Sequence, residues 1–458
     1  MSNDPNATLD AVERMRAYWA VVAPLMDGTQ GMRRAGKALL PQFPAELDDT
    51  YKERLALSTL LPVYAETVNN MTSRVFAEPL QLGEDIPDDI KALCSDIDLA
   101  GNDLNSWSVE LFRNGLSHGL CHALVDYQST RDAGGNPLYK TRAEEIAAGV
   151  RPYAVIVRPD QVLGWRFSAG VLMQIRYKEV VEIPDGDFGT KCIDQIRVLE
   201  PGIWKTYRVA ADGGAWAIHE EGTTSLSYIP WVTFYAGRTG ALTAKPPLLE
   251  LAYLNVKHWQ SQSDQDNLLH VARVPLLFVF TSDEQFKLVI SSGSATRMPK
   301  DGDAKYVEHT GAAIEAGRQS LQDLIDEMRM AGAKLLQRDK QQVKTAAQAN
   351  EEAAQELSPL ARLAGQFSDC IAQVLQIFAD YRGVTEGGHV EMRGNFDSDF
   401  APEVSLPSLI SMATAGKISD ETLYSEMQRR GVISDELDWT KELARILTQP
   451  SKGVSLDD

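Results

Sequence analysis

Residues Gly115-Leu116-Ser117-His118-Gly119 spell G-x-S-x-G, the pattern of a hydrolase nucleophile elbow. In such an elbow a strand enters the serine and a helix leaves it, so the strained turn exposes the hydroxyl. The surrounding residues predict the reverse order. Trp107, Leu111 and Phe112 mark a helix that closes near Gly115, and Leu120 to Tyr127 reads as the strand after it. A cytoplasmic serine hydrolase using Ser117 is thus the enzymatic alternative, and the order of elements speaks against it. A Gly-rich helix-to-strand turn explains the same five residues without chemistry.

His118, Cys121 and His122 have metal-ligating side chains, but zinc needs four ligands, or three and a water, and no matching second cluster stands elsewhere in the chain. Asp185-Gly186-Asp187 and Asp301-Gly302-Asp303 lack the longer spacing and closing Glu of a calcium loop. Turn chemistry accounts for both. No G-x-x-x-x-G-K-[ST] loop occurs, so the chain carries no P-loop motor of its own. The expectation is a protein without catalytic residues, metal or cofactor.

Charge is more informative. The chain has 45 Lys and Arg against 64 Asp and Glu, a formal net charge of −19. Such acidity argues against tight grip on DNA, because grip requires Lys and Arg to replace the counterions on the phosphates. It is compatible with DNA that must slide past. Within this acidic background, residues 331–345 hold Lys334, Arg338, Lys340 and Lys344 against one acid, Asp339. A lone group of four cations is ordinarily a solvated loop. Here amphipathic helices bracket it, so it can be held at a fixed place near a polyanion.

The elements that would position these residues change character along the chain. Its 458 residues allow two to four folding units, at roughly 100–200 residues each. A hydrophobic share of 44% and a charged share of 24% exclude a wholly disordered chain. The first 120 residues predict helices. Leu9, Val12, Met15, Trp19 and Val22 repeat at helical spacing up to Gly28; Tyr51, Leu55, Tyr64, Val68, Met71 and Val75 form a second pattern broken or kinked at Pro62; Pro87 opens a short third. From Leu120 to Tyr235 come short runs rich in Val, Ile, Tyr, Phe and Trp, among them 153–157, 162–165, 171–177, 195–199, 204–209 and 231–235. Turn residues such as Asp185-Gly186-Asp187 and Pro201-Gly202 separate them, which predicts an antiparallel meander and not a doubly wound sheet.

After Pro246-Pro247, Leu249, Ala252, Leu254, Val256, Trp259, Leu268 and Leu269 predict a helix to about Ala272. Residues 274–312 are irregular or strand-like. Ile314, Leu321, Leu324, Ile325 and Met328 predict a second amphipathic helix with acids opposite. After Thr345 a further helical pattern, marked from Ala349 to Tyr381, runs for about 36 residues or 54 Å, ended by Gly387-Gly388, with a strand at His389–Arg393. Two short helices follow, around 406–414 and 420–430, with Ser419 as N-cap. The four cysteines, Cys94, Cys121, Cys192 and Cys370, lie far apart and predict reduced thiols. The N-terminal residues lack the pattern of a signal peptide. The apolar runs fall short of the roughly 20 residues that span a bilayer. The expectation is a soluble protein made in the cytoplasm.

Taken in order, these segments resemble the portal proteins of tailed bacteriophages in a compact form. The resemblance rests on Tyr51-Lys-Glu-Arg54, Leu61-Pro62 and Arg74-Val-Phe-Ala-Glu-Pro79; on Ile229-Pro-Trp-Val and Pro246-Pro-Leu-Leu-Glu-Leu-Ala; and on Ala304-Lys-Tyr-Val-Glu-His-Thr-Gly-Ala-Ala-Ile314, Thr345-Ala346 and Gly416-Lys-Ile-Ser419. It implies an α+β portal fold with a helical and antiparallel-β wing, a two-helix stem, a small α/β clip, a long helix and a short helical crown. Residues 1–245 and a strand near 389–396 would be the wing, 246–272 and 313–332 the stem, and 273–312 the clip. Residues 333–346 would be the tunnel loop, 347–400 the long helix and wing strand, and 401–458 the crown.

The resemblance further implies a non-enzymatic ring of about twelve copies at one capsid vertex, assembled in the host cytoplasm. Double-stranded DNA would pass through it during packaging and ejection. Its partners would be the terminase large subunit, head–tail adaptor or tail proteins, and major capsid and scaffolding proteins, with no membrane. Lys334, Arg338, Lys340 and Lys344 would then be tunnel-loop cations near DNA phosphates. Glu315, Asp323, Asp326 and Glu327 would be candidates for a negative channel wall. Another head–tail joining protein is the structural alternative, although adaptors are usually much shorter.

Overall fold

The computed structural model describes residues 4–131, 136–210, 214–272, 276–280, 303–307, 312–336, 358–394, 402–429, 432–434 and 437–448. The chain divides into two compact units, residues 1–335 with 362–393, and residues 336–361 with 394–458.

The first unit begins with helices whose apolar stripes are its core. Helix α1 (Asp10–Met26) buries Val12, Met15, Trp19, Val22 and Leu25. It ends at Met26, and the predicted stop, Gly28, instead opens α2 (Gly28–Ala35) at φ +71°. Pro62 is a full break and not a kink: residues 58–62 separate α3 (Asp48–Leu57) from α4 (Val63–Val75), as expected where a proline restricts the residue before it. Strand β1 (Gln81–Leu82) and α5 (Asp88–Leu93) lead to α6 (Leu104–His118), whose N-cap Asp103 accepts from the Ser106 N–H at 2.7 Å. Helix α6 does not close at Gly115. It continues to Gly119, where φ is +92°. Gly115 is needed inside the helix because a Cβ there would overlap the Phe234 ring.

The β region forms two sheets in place of the single meander predicted. Strands β2 (Leu120–Tyr127), β3 (Pro152–Val157) and, further on, β9 (Trp231–Tyr235) make a three-stranded sheet in the order β3-β2-β9, with helix α7 (Arg142–Ala147) between the first two. Strands β4 (Val162–Ser168), β5 (Val171–Asp185), β6 (Gly189–Glu200), β7 (Ile203–Val209) and β8 (Trp216–Thr223) make a sequential five-stranded sheet. Short strands β10 (Arg238–Gly240) and β11 (Thr243–Ala244) pair with each other. Every pair among the described strands is antiparallel.

Strand β2 is buried on both faces, which explains its continuous apolar run. Leu124 and Val157 pack on Ile175, Tyr177 and Leu199 of the five-stranded sheet. On the opposite face, Cys121 stands beside Phe234, which stacks on Phe112 of α6 at 5.2 Å.

The chain then enters α8 (Leu249–Ala272), hairpin strands β12 (Leu276–Phe280) and β13 (Asp303–Val307), and α9 (Ala312–Ala333). Helix α10 (Pro359–Arg382) follows. It ends at Gly383, φ +73°, and not at Gly387-Gly388; the Val384 N–H turns back to the Ala379 carbonyl at 2.9 Å. The part of the long helix expected over 347–357 lies outside the described residues. Strand β14 (Val390–Glu391), expected from the sequence, pairs with β1.

The second unit contains α11 (Pro402–Thr414), α12 (Asp420–Arg429) and α13 (Trp439–Thr448). The first two match the expected helices, and Ser419 Oγ accepts from the Thr422 N–H at 3.1 Å as the predicted cap. The third was not expected; Trp439 at its start meets the Tyr424 ring at 5.1 Å. The fold class is α+β, as predicted.

Candidate functional site

Helices α8 and α9 are the elements that position the charged candidates. They run antiparallel. Near the C-terminal end of α8, Gln265 Nε2 donates to the Ile314 carbonyl at the start of α9, at 2.9 Å. Near the other end, Gly332 lies against the Leu251 side chain. The glycines let the pair approach closely: a Cβ at Gly317 would collide with the Gln265 amide.

The face of α8 toward the rest of the unit is unexpectedly polar. Leu249, Ala252 and Trp259 are buried as predicted, but so are Asn255, His258, Ser263 and Gln265. Leu254, Val256, Leu268 and Leu269 are only half-buried. Asn255 reaches into the break between α3 and α4. Its Nδ2 donates to the Leu61 carbonyl and its Oδ1 accepts from the Tyr64 N–H, both at 2.9 Å. One side chain thus satisfies the Tyr64 N–H at the start of α4 and adds a second donor to the Leu61 carbonyl, which also accepts from the Val63 N–H at 2.9 Å. Ser263 Oγ lies 2.9 Å from Ser58 Oγ and 3.3 Å from Arg54 Nη1. Replacing Asn255 with Ala should cost about 1–3 kcal/mol for the buried Tyr64 N–H left unpaired. Chemical denaturation of Asn255→Ala beside Asn255→Asp checks this; loss well below that range would mean that water replaces the amide.

Of the predicted stripe, helix α9 buries Leu321, Leu324 and Met328, and leaves Ile314 and Ile325 half-buried. Glu315, Asp323, Asp326 and Glu327 all lie on its exposed side. They are not a bare wall of acid. Arg318 Nε donates to Glu315 at 3.1 Å and Arg329 Nη1 to Asp326 at 3.0 Å. Gln319 Nε2 donates to Asp323 at 2.9 Å. The Arg318 guanidinium holds the Glu315 carboxyl below its usual range. Four carboxylates against two guanidiniums leave this face with two net negative charges. Both arginines follow their acids by three residues, the spacing that marks a helical ion pair in sequence. Lys334 is exposed just beyond the end of α9. Arg338, Lys340 and Lys344 lie outside the described residues.

The residues with catalytic or metal-like character have structural roles. Ser117 sits in the last turn of α6, 1% exposed, with its hydroxyl donating to the Asn114 carbonyl at 3.1 Å and lying 2.8 Å from His118 Nδ1. Helix precedes it and strand follows, the inverse of an elbow. Burial lowers the pKa of His118, favouring the neutral ring. Cys121 and His122 are neighbours on β2 and so point to opposite faces. Burial raises the Cys121 thiol pKa and lowers that of His122 to about 3; His122 Nδ1 lies 2.9 Å from Thr233 Oγ1. Among the described residues no group of three or more His, Cys, Asp or Glu could hold a metal ion. Among them, too, no helix is long and apolar enough to cross a membrane.

Residues 247–382 match a family model described as a domain of unknown function (DUF4055). No curated protein matches the chain. Solved structures similar to it include a chain from the neck of an empty GTA particle computed with C6 symmetry, at 14% identity and TM-score 0.41, covering 78% of this chain and 87% of that one. A chain from the virion of a native gene transfer agent particle matches at 14% identity and TM-score 0.41, covering 86% and 97%. One from the neck of the native particle computed with C12 symmetry matches at 14% identity and TM-score 0.40, covering 86% and 98%. Beside these matches stands the resemblance of the chain's own motifs, from Tyr51-Lys-Glu-Arg54 to Gly416-Lys-Ile-Ser419, to the portal proteins of tailed bacteriophages.

Proposed function

We propose that the chain is a portal protein: a ring of about twelve copies at one vertex of a phage-like capsid, through which double-stranded DNA is packaged and later ejected. The observation that carries the reading is the order of elements from 249 to 382. An antiparallel helix pair brackets the β12–β13 hairpin, a basic segment follows the second helix, and a further helix comes after it. With the sequence motifs, this order supports α8 and α9 as stem, residues 273–312 as clip, 333–346 as tunnel loop and 401–458 as crown.

The charge pattern suits that task. Each chain brings −19, and a ring multiplies it into a field that repels a polyanion and keeps it from sticking. The exposed face of α9, net negative but laced with Arg318 and Arg329, is our candidate for the channel wall. Lys334, Arg338, Lys340 and Lys344 would touch phosphates lightly. Force for packaging would come from a separate terminase ATPase, and tail or adaptor proteins would dock on the ring; the major capsid and scaffolding proteins would surround it.

Axial views by negative-stain microscopy test the ring: particles with a central hole are expected, and solid particles from intact virions would end the reading. The loop has its own test. Replacing its four cations with Gln should leave ring assembly intact and reduce packaged or retained DNA, and unchanged packaging would remove their role.

A further inference from the structure

The β5–β6 pair outruns its sheet. β4 pairs with β5 only up to Tyr177, and β7 with β6 only as far as Ile196, whereas β5 and β6 stay paired to Asp185 and Gly189. Lys178–Asp185 thus extends as a two-stranded ribbon for about 26 Å. A hairpin alone is marginal in water. This one carries Val180, 59% exposed, and at its tip Phe188, with its whole side chain in solvent. Asp185 and Asp187 flank that ring. A fully exposed aromatic at a projecting tip has the form of an interface anchor, the residue type that carries binding when a pocket receives it.

The same unit holds a cavity of about 710 Å³. Trp19, Ala23 and Pro24 of α1 give it an apolar wall, and Arg34, Arg113 and Arg158 line it with positive charge. Asp27 pairs with Arg34, and Asp160 with Arg158 at 3.2 Å. Arg113 donates to the neutral Asn69 amide oxygen at 2.7 Å, so the five charges leave one positive in excess. The tip brings two negatives. Phe188 is exposed in its own chain and therefore does not fill its own cavity.

We propose that the Asp185–Phe188 tip of one copy seats in this cavity of the next copy, with Phe188 against Trp19 and Pro24 and its two aspartates facing Arg34, Arg113 and Arg158. This rests on the ring reading and deepens it. A closed ring needs two different complementary faces on each subunit, and knob and cavity supply them. The contact would also shelter the ribbon.

The test uses the full chain with Cys192, the one exposed cysteine, changed to Ser. Asp187→Cys with Ala23→Cys, bridged by a short bis-maleimide, keeps Phe188 in place. The expected result is a ladder of covalent multimers, absent from either single-cysteine control. Phe188→Asp should raise the concentration for half-assembly at least tenfold while leaving the unfolding midpoint of the monomer unchanged. Rings that form without the ladder, or that Phe188→Asp leaves unaffected, overturn the seating and leave the portal reading standing. An unsubstituted chain that forms no ring removes both.

Discussion

Arg54→Ala should lower the unfolding free energy of the first unit by about 3–5 kcal/mol, the cost of breaking a buried ion pair by removing one partner. Arg54 and Glu46 side chains are 4% and 5% exposed. Nε and Nη2 of the guanidinium each donate to a Glu46 oxygen at 2.8 Å, and Nη2 also to the Pro41 carbonyl at 2.9 Å. Arg54 Cζ lies 4.2 Å from the centre of the Phe43 ring, and Nη1 reaches Ser263 of α8. Without the guanidinium, the buried Glu46 carboxylate keeps only the Phe43 N–H, at 3.1 Å, as a partner. Because the loss comes from the uncompensated charge, the double change Arg54→Met with Glu46→Leu should recover much of it. If the single variant and the double variant are equally unstable, packing and not charge holds this corner.

The same pair sets a pH dependence with a definite sign. The hydrogen bonds from Arg54 hold the Glu46 carboxyl below its ordinary range. The folded state thus binds a proton less readily than the unfolded one, whose value is about 4.3. The pair's contribution is complete above that value and is lost as pH falls through the folded pKa. Wild type should therefore lose stability more steeply than Glu46→Gln on acidification below the unfolded pKa. Parallel slopes would show that other carboxylates dominate.

These residues also show what was legible in the sequence. Tyr51-Lys-Glu-Arg54 was visible as a motif, but its burial partner Glu46 was not, because pairing over eight residues leaves no periodic trace. The sheets were legible where strands alternate over a buried face, as in β5 from Leu172 to Tyr177. Strand β8 was missed because nearly all of Trp216–Thr223 is exposed, so its sequence lacks the apolar alternation that marks a half-buried strand. On α9 the acids and the apolar stripe separated cleanly, and the structure places both as expected. Helix α8 departs from its sequence pattern. Asn255, Ser263 and Gln265 look like solvent residues, yet they are buried because the α3–α4 break and the start of α9 offer backbone and hydroxyl groups that only polar side chains can satisfy. In the sequence the adjacent Gly387-Gly388 look like a stronger helix stop than Gly383, but it is Gly383, directly after Arg382 in the usual C-terminal arrangement, that ends α10.

Phe367→Ala should be as damaging as the loss of Arg54, for a different reason. Phe367 of α10 is fully buried and meets Phe234 of β9 at 4.9 Å and Phe112 of α6 at 5.3 Å, both edge to face, with Phe76 at 5.8 Å after α4. Three other segments converge on this one ring, and Gly115 lacks a side chain so that Phe234 can lie flat beneath α6. Emptying such a site costs the transfer free energy of the ring and leaves a cavity, together about 3–5 kcal/mol. The edge-to-face contacts add about 0.5–1.5 kcal/mol beyond area, so Phe367→Leu should fall between wild type and Ala. No charge is involved, so the loss should be the same at pH 4 and pH 7, whereas that of Arg54→Ala should shrink as Glu46 protonates. Urea midpoints at the two pH values separate the two mechanisms. A Phe367→Ala penalty that changes with pH would mean that the aromatic cluster is coupled to ionised groups, against the geometry described.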